Sequence, residues 1–272
     1  MTTPPALLVA GQGTRDDTGS EAFRAFVREL GSRRPELPVA GGFVELSRPP
    51  LGDAVTELVE RGVRHFTAVP LMLVPAGHAK GGIRAALARE TERHPGISYT
   101  YGPPLGPHPA LLDLLERRLD EALGGTAGRR PGDRADVTVL LVGPGSTDPD
   151  ANAEVHRAAR LLWEGRGYAG VETAFASLAA PDVPNGLDRC VRLGARRIVV
   201  LPYFLFTGVQ PDRVRQQTEG WAEAHPEIEV RSAGVIGPEP ELLDLVWERY
   251  EEALGGHHAP GHFHQGVDSH AH

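Results

Sequence analysis

Apolar residues along this chain come in short runs separated by longer amphipathic stretches. Ala6 to Ala10 and Val39 to Val44 read as strands, each followed by a polar loop and a helical period, over about 20–32 and 51–61. Residues 66–74 form a nearly unbroken apolar run that ends in Pro75 and Gly77. Such a run is too short for an independent helix and suits a strand covered on both faces. A helical stretch follows from about Ala79 to His94. Ile97 to Tyr101 then reads as a fourth strand and Pro107 to Leu123 as a fourth helix, with proline in its first turn. This alternation predicts an α/β fold with a parallel sheet and helices on both faces.

Residues 124–135 carry no apolar period and read as a linker. The pattern then restarts. Leu140-Leu-Val-Gly-Pro-Gly-Ser-Thr-Asp148 restates Leu7 to Asp16, aligning Gly143 with Gly11 and Gly145 with Gly13. Phe175-Ala-Ser-Leu and Leu201-Pro-Tyr-Phe-Leu follow Phe43-Val-Glu-Leu and Val69-Pro-Leu-Met-Leu at the same spacing. Gly237-Pro-Glu-Pro restates Gly106-Pro-His-Pro one residue out of step, and both copies finish in Ala-Leu-Gly-Gly. The chain is therefore a duplication: a first copy over 1–123, the linker, a second copy over 136–256, and a tail over 257–272. Each copy is expected to hold one parallel four-stranded sheet.

The duplication acts as an internal control. Glycines, prolines and apolar strands are shared, so they serve the fold. The polar differences fall where strands end: Gln12 against Pro144, Glu45 against Ser177, His78 against Gln210. In a parallel sheet, Gln12, Glu45 and His78 each follow a different strand and reach one rim, where open α/β sheets bind ligands. A helix amino terminus near His78 disfavours a charged imidazole and leaves a lone pair for a proton or a metal. Imidazole accepts cobalt, nickel, iron or zinc, and carboxylate adds charge. Two donors make an open, weak site rather than a four-ligand structural one. One active site is expected, built mainly by the first copy with the second as wall or lid.

At these residues the chain resembles the sirohydrochlorin chelatases, the class II chelatases of cobalamin and siroheme biosynthesis. Gly11-Gln12-Gly13-Thr14-Arg15 matches the family's Gly-His-Gly-Ser/Thr-Arg. Ala76-Gly77-His78 after an apolar strand matches its third motif, and Glu45 stands where the family keeps a glutamate. The resemblance spans about residues 5–255. It implies two tandem chelatase-like domains and insertion of a divalent metal into sirohydrochlorin, with the metal as substrate (Co2+, or Fe2+ or Ni2+) and no organic cofactor. His78 and Glu45 are then the catalytic and metal-handling groups. Gln12, Thr14, Arg15, Arg48 and Lys80 are candidates for binding the macrocycle's carboxylates, with solvated surface charge as the plainer reading of each cation. Glutamine in place of the family's histidine removes a base and a good ligand. The rival readings are a metal-binding or tetrapyrrole-carrier protein without turnover and a nucleotide-binding module. The latter lacks the third glycine of the dinucleotide fingerprint, which is Asp16 here.

Composition narrows the partners. Across 272 residues, 28 basic and 36 acidic side chains give a net charge of -8, which argues against nucleic acid. Cys190 is the sole cysteine, so neither a disulfide framework nor a Cys-based zinc site is expected. No secretion signal and no membrane-length apolar run is read, so a cytoplasmic protein is expected. Of 12 histidines, His257, His258, His262, His264, His270 and His272 lie in the tail. A histidine-rich tract of this kind suits metal collection and favours cobalt over iron.

Overall fold

The computed structural model describes residues 4–14, 16–74, 82–125 and 131–255. The first copy contains β1 (Ala6–Gly11), α1 (Asp17–Arg33), β2 (Val39–Phe43), α2 (Leu51–Glu60), β3 (His65–Pro70), α3 (Ile83–Arg93), β4 (Ser98–Tyr101) and α4 (Pro109–Ala122). The second contains β5 (Val137–Gly143), α5 (Pro149–Trp163), β6 (Gly170–Phe175), α6 (Val183–Arg192), β7 (Arg197–Pro202), α7 (Val209–Ala224), β8 (Glu229–Ser232) and α8 (Pro240–Gly255). The two four-stranded sheets are wholly parallel, in the orders β2-β1-β3-β4 and β6-β5-β7-β8.

Strand burial follows the two-residue period of a pleated sheet. On β1, Leu7 and Val9 join a central apolar core, while Ala6, Leu8 and Ala10 join an outer core with α2 and α3. On β5, Val139 and Leu141 face the same central core, and Leu140 and Val142 face α6 and α7. The molecule is thus layered: outer helices, sheet, a shared helical layer of α1, α4, α5 and α8, the second sheet, and outer helices again. Both faces of each central strand are covered, which is why these strands read as continuous apolar runs.

The shared layer interlocks the copies. Helix α8 packs on β3 and β4 of the first sheet, and α4 packs on β7 of the second. Tyr250 donates to the Pro5 carbonyl at 2.6 Å, and Arg118 donates to the Val235 and Ile236 carbonyls at 2.8 and 2.7 Å. Arg33 at the end of α1 and Arg34 just after it pair with Asp244 and Glu251 on α8. Each copy's last helix therefore completes the other copy's sheet.

Strand β3 stops at Pro70, four residues short of the apolar run. Its neighbours run out, β1 at Gly11 and β4 at Tyr101. Leu71 and Leu73 are apolar because they are buried in the central core, at 7% and 8% exposure, past the end of the strand. Helix α1 begins at Asp17, earlier than the apolar period indicates, because Asp16 caps it by accepting from the Gly19 N–H at 2.8 Å. Among the described residues no helix is long and apolar enough to cross a membrane.

Candidate functional site

Strand order reverses about β1 and β3, and the loops leaving the strand carboxyl ends there form the rim on which such sheets bind ligands. Pairing continues past the ends of β1 and β2. The Val44 N–H donates to the Gly11 carbonyl at 3.0 Å and the Glu45 N–H to the Gln12 carbonyl at 3.2 Å. This brings the Gln12 and Glu45 side chains together, with Gln12 Nε2 donating to Glu45 Oε1 at 2.9 Å. Both are exposed. One carboxylate oxygen is thereby engaged by a neutral amide, and the carboxylate keeps capacity to take a cation or a proton.

Gly13 makes the approach possible. Its φ is +112°, and a Cβ placed there would lie 1.8 Å from the Glu45 carbonyl oxygen. Only glycine satisfies both conditions. The second copy repeats the device: Gly145 has φ +80°, and its Cβ would meet the Ser177 carbonyl oxygen at 1.8 Å. The backbone that presents Glu45 is therefore inherited by both copies, while the carboxylate stands only on the first.

Ser47 ties the two loops together. Its hydroxyl accepts from the Thr14 N–H at 2.8 Å and donates to the Thr14 carbonyl at 2.5 Å. Thr14 Oγ1 accepts from the Asp16 N–H at 3.1 Å. The backbone N–H groups of Thr14, Asp16 and Gly19 are thus already engaged, and Asp16 itself supplies the anion at the start of α1. Arg48 is exposed on the β2–α2 loop, with its carbonyl held by Arg24 Nη1 at 2.9 Å. Ser47 was missed by motif reading. The copy comparison carries the signal, because Ala179 stands at the equivalent position.

The second copy closes one side of this rim. A Cβ on Gly19 would lie 2.8 Å from the Thr207 carbonyl oxygen, and one on Gly208 would lie 3.6 Å from Asp16 Oδ2 and 3.8 Å from Thr14 Oγ1. Phe206 on the same loop meets Phe26 of α1 edge to face at 5.8 Å. Gln210, the counterpart of His78, is exposed in the first turn of α7. Arg15, His78, Lys80 and the six tail histidines lie outside the described residues. Among the described residues, no three His, Cys, Asp or Glu side chains converge as a metal cluster.

Comparison with known proteins agrees with the duplication. The CbiX family model matches residues 6–122 and again 138–253. A sirohydrochlorin cobaltochelatase of Priestia megaterium is 36% identical over 252 residues, covering 92% of this chain and 80% of that protein. A sirohydrochlorin ferrochelatase of the same organism is 31% identical, covering 79% and 78%. Among solved structures, SirB from Bacillus subtilis with Fe3+ superposes with a TM-score of 0.76 at 25% identity, over 92% of this chain and 95% of that one. Matched in both copies, and along most of the length of its relatives, the chain belongs to the CbiX family.

Proposed function

We propose that the protein is a sirohydrochlorin metal chelatase that inserts a divalent metal ion, cobalt in preference to iron or nickel, into the macrocycle. The observation that carries this reading is the Gln12–Glu45 pair, held on the carboxyl rim at the strand-order switch of a duplicated CbiX-family fold. Similarity to a cobaltochelatase over most of both chains, together with the histidine-rich tail, supports cobalt.

Metal insertion releases two pyrrole N–H protons and exchanges metal–water bonds for ring nitrogens. Glu45 supplies negative charge for the incoming cation and an acceptor for one proton. We assign the second acceptor, and the directional nitrogen donor, to His78 in the segment joining Val74 to Gly82. Gln12 is neutral and cannot act as a base. It serves by holding the Glu45 carboxylate. Arg48, Arg15 and Lys80 are assigned to the ring's carboxylates.

The departure at Gln12 favours one competing reading, a tetrapyrrole or metal carrier without turnover. Mixing the purified protein with sirohydrochlorin and Co2+, and following the ring absorption, separates the two. An enzyme accelerates the spectral shift far above the uncatalysed rate, whereas a carrier binds the ring and leaves the rate unchanged. His78→Ala should remove most of the acceleration with an unchanged circular dichroism spectrum, and Glu45→Gln should give a smaller, pH-dependent loss. Full activity in His78→Ala would overturn the site assignment.

A further inference from the structure

Leu46, the residue after Glu45, is 58% exposed and has φ +65°. The positive φ belongs to a tight three-residue turn in which the Ser47 N–H donates to the Glu45 carbonyl at 2.7 Å, a strained geometry for a residue with a Cβ. The turn shapes the loop that presents Glu45, but it does not require leucine, and an exposed leucine gains nothing from burial. The second copy repeats both: Leu178 is 74% exposed with φ +61°. Asparagine or glycine would hold the same backbone more comfortably at either place.

Among the described residues, three of the six exposed large apolar side chains stand at the carboxyl ends of strands or at the start of the helix that follows, and the other three at the ends of α5 and α6. The large apolar side chains exposed among the described residues are Leu46, Leu161, Trp163, Leu178, Leu193 and Val209. Leu46 and Leu178 lie on the carboxyl-rim loops after β2 and β6. Val209 opens α7 just after Gly208, which neighbours Thr14 and Asp16 of the first copy's rim. The Leu46 Cβ itself lies 3.5 Å from where a Gly13 Cβ would be, so this leucine stands at the glycine turn that presents Glu45.

We infer that Leu46, with Leu178 and Val209 as further apolar contacts, is a substrate-binding residue that packs against the flat apolar face of the macrocycle. The inference rests on the chelatase reading and deepens it. A conjugated ring with carboxylates at its edge needs charged groups at the rim and an apolar surface beneath its face. Arg48 and Glu45 are the charged neighbours in the same loop, and Leu46 and Leu178 are apolar side chains held out by a turn that does not require leucine. Left-handed geometry turns the leucine outward at the point where the chain doubles back to Gly13.

Two substitutions at Leu46 test this in the full chain. Leu46→Asn suits the left-handed backbone, so its melting temperature should equal or exceed the wild type's. Its KM for sirohydrochlorin should rise roughly 5- to 20-fold, as expected for losing a buried leucine contact. The KM for Co2+ should stay within about twofold. Leu46→Met keeps an apolar side chain and should restore the KM for the ring. Leu178→Asn should give the same pattern with a smaller rise. An unchanged KM for sirohydrochlorin in Leu46→Asn, with wild-type turnover present, would overturn the inference and leave the chelatase reading standing. Absence of wild-type turnover would instead count against that reading. In that case Leu46→Asn should still weaken equilibrium binding of the ring, and equal dissociation constants would overturn the apolar contact.

Discussion

Gly13→Ala and Gly145→Ala form a matched pair in which the same steric insult falls on two copies with different chemistry. A Cβ at either position would lie 1.8 Å from a backbone carbonyl oxygen, far inside the 3.0 Å that real Cβ atoms keep. The obstacle is main chain, so no rotamer change relieves it. At Gly13, an alanine forced to φ +112° costs about 1–2 kcal/mol. Displacing the β2–α2 loop also breaks the Val44-to-Gly11 and Glu45-to-Gln12 backbone bonds, at about 1 kcal/mol each. The total is about 3–4 kcal/mol, a large part of the ~5–15 kcal/mol that holds a typical protein folded. In a protein of this size it should lower the melting temperature by roughly 10 °C. Gly145→Ala breaks the matching bonds from Ala176 to Gly143 and from Ser177 to Pro144, so its stability loss should be similar. The kinetic effects should separate. Moving Glu45 by about an ångström should cost on the order of 100-fold in kcat, whereas Ser177 has no reacting group to misplace. The comparison is made by urea unfolding and by cobalt-insertion rates at a temperature where both variants are folded. Equal kcat losses in the two variants, or full kcat in Gly13→Ala, would refute the assignment of the reaction to the first copy's rim.

Gln12→His should place an imidazole where an amide now holds Glu45, and should raise Co2+ affinity or insertion rate. A fall in both, at matched cobalt concentration, would show that the amide contact to Glu45 matters more than a second nitrogen donor. Truncation after Gly256 should leave the metal-saturated rate unchanged while lowering the number of Co2+ or Ni2+ ions bound. Equal stoichiometry by equilibrium dialysis would exclude a collecting role for His257 to His272. Burial raises the Glu116 pKa, but hydrogen bonds from Arg134 and Arg166 outweigh it and hold the carboxyl below its ordinary 4.5. A depressed folded pKa gives stability that is present above pH 4.5 and lost as pH falls through the folded value. Glu116→Gln should therefore lower stability at neutral pH and flatten the acid limb of the stability curve; a curve parallel to the wild type's would refute the ion-pair account.

How much of this was legible in the sequence differs with the physics of each element. The strands were plain because β1 and β5 are buried on both faces and must be apolar throughout. The carboxyl end of β3 is overextended for the same reason, since Leu71 and Leu73 are buried beyond its last residue. Helices α4 and α8 announce an apolar face, but nothing in a helical period says which sheet that face will meet. Their exchange between copies is decided by packing far apart in sequence. The capped start of α1 was within reach, because an Asp just before a helix is a known cap.

For the site, comparing the copies outperformed composition. Pro144, Ser177 and Ala179 mark by their difference the three side chains that build the described rim, Gln12, Glu45 and Ser47, yet the serine was passed over because its neighbours matched a familiar motif. Leu46 escapes that comparison altogether, because Leu178 repeats it and a repeated leucine reads as core. What separates it from core is its backbone angle and its exposure, and neither is written in residue type. Residues that differ between the copies report chemistry confined to one half. Residues that recur exposed in both copies, as Leu46 and Leu178 do, are what the proposed ring contact would account for. On the proposed reading, the rim of the first copy needs residues of both kinds, the Glu45 carboxylate for the chemistry and the Leu46 side chain for the face of the ring.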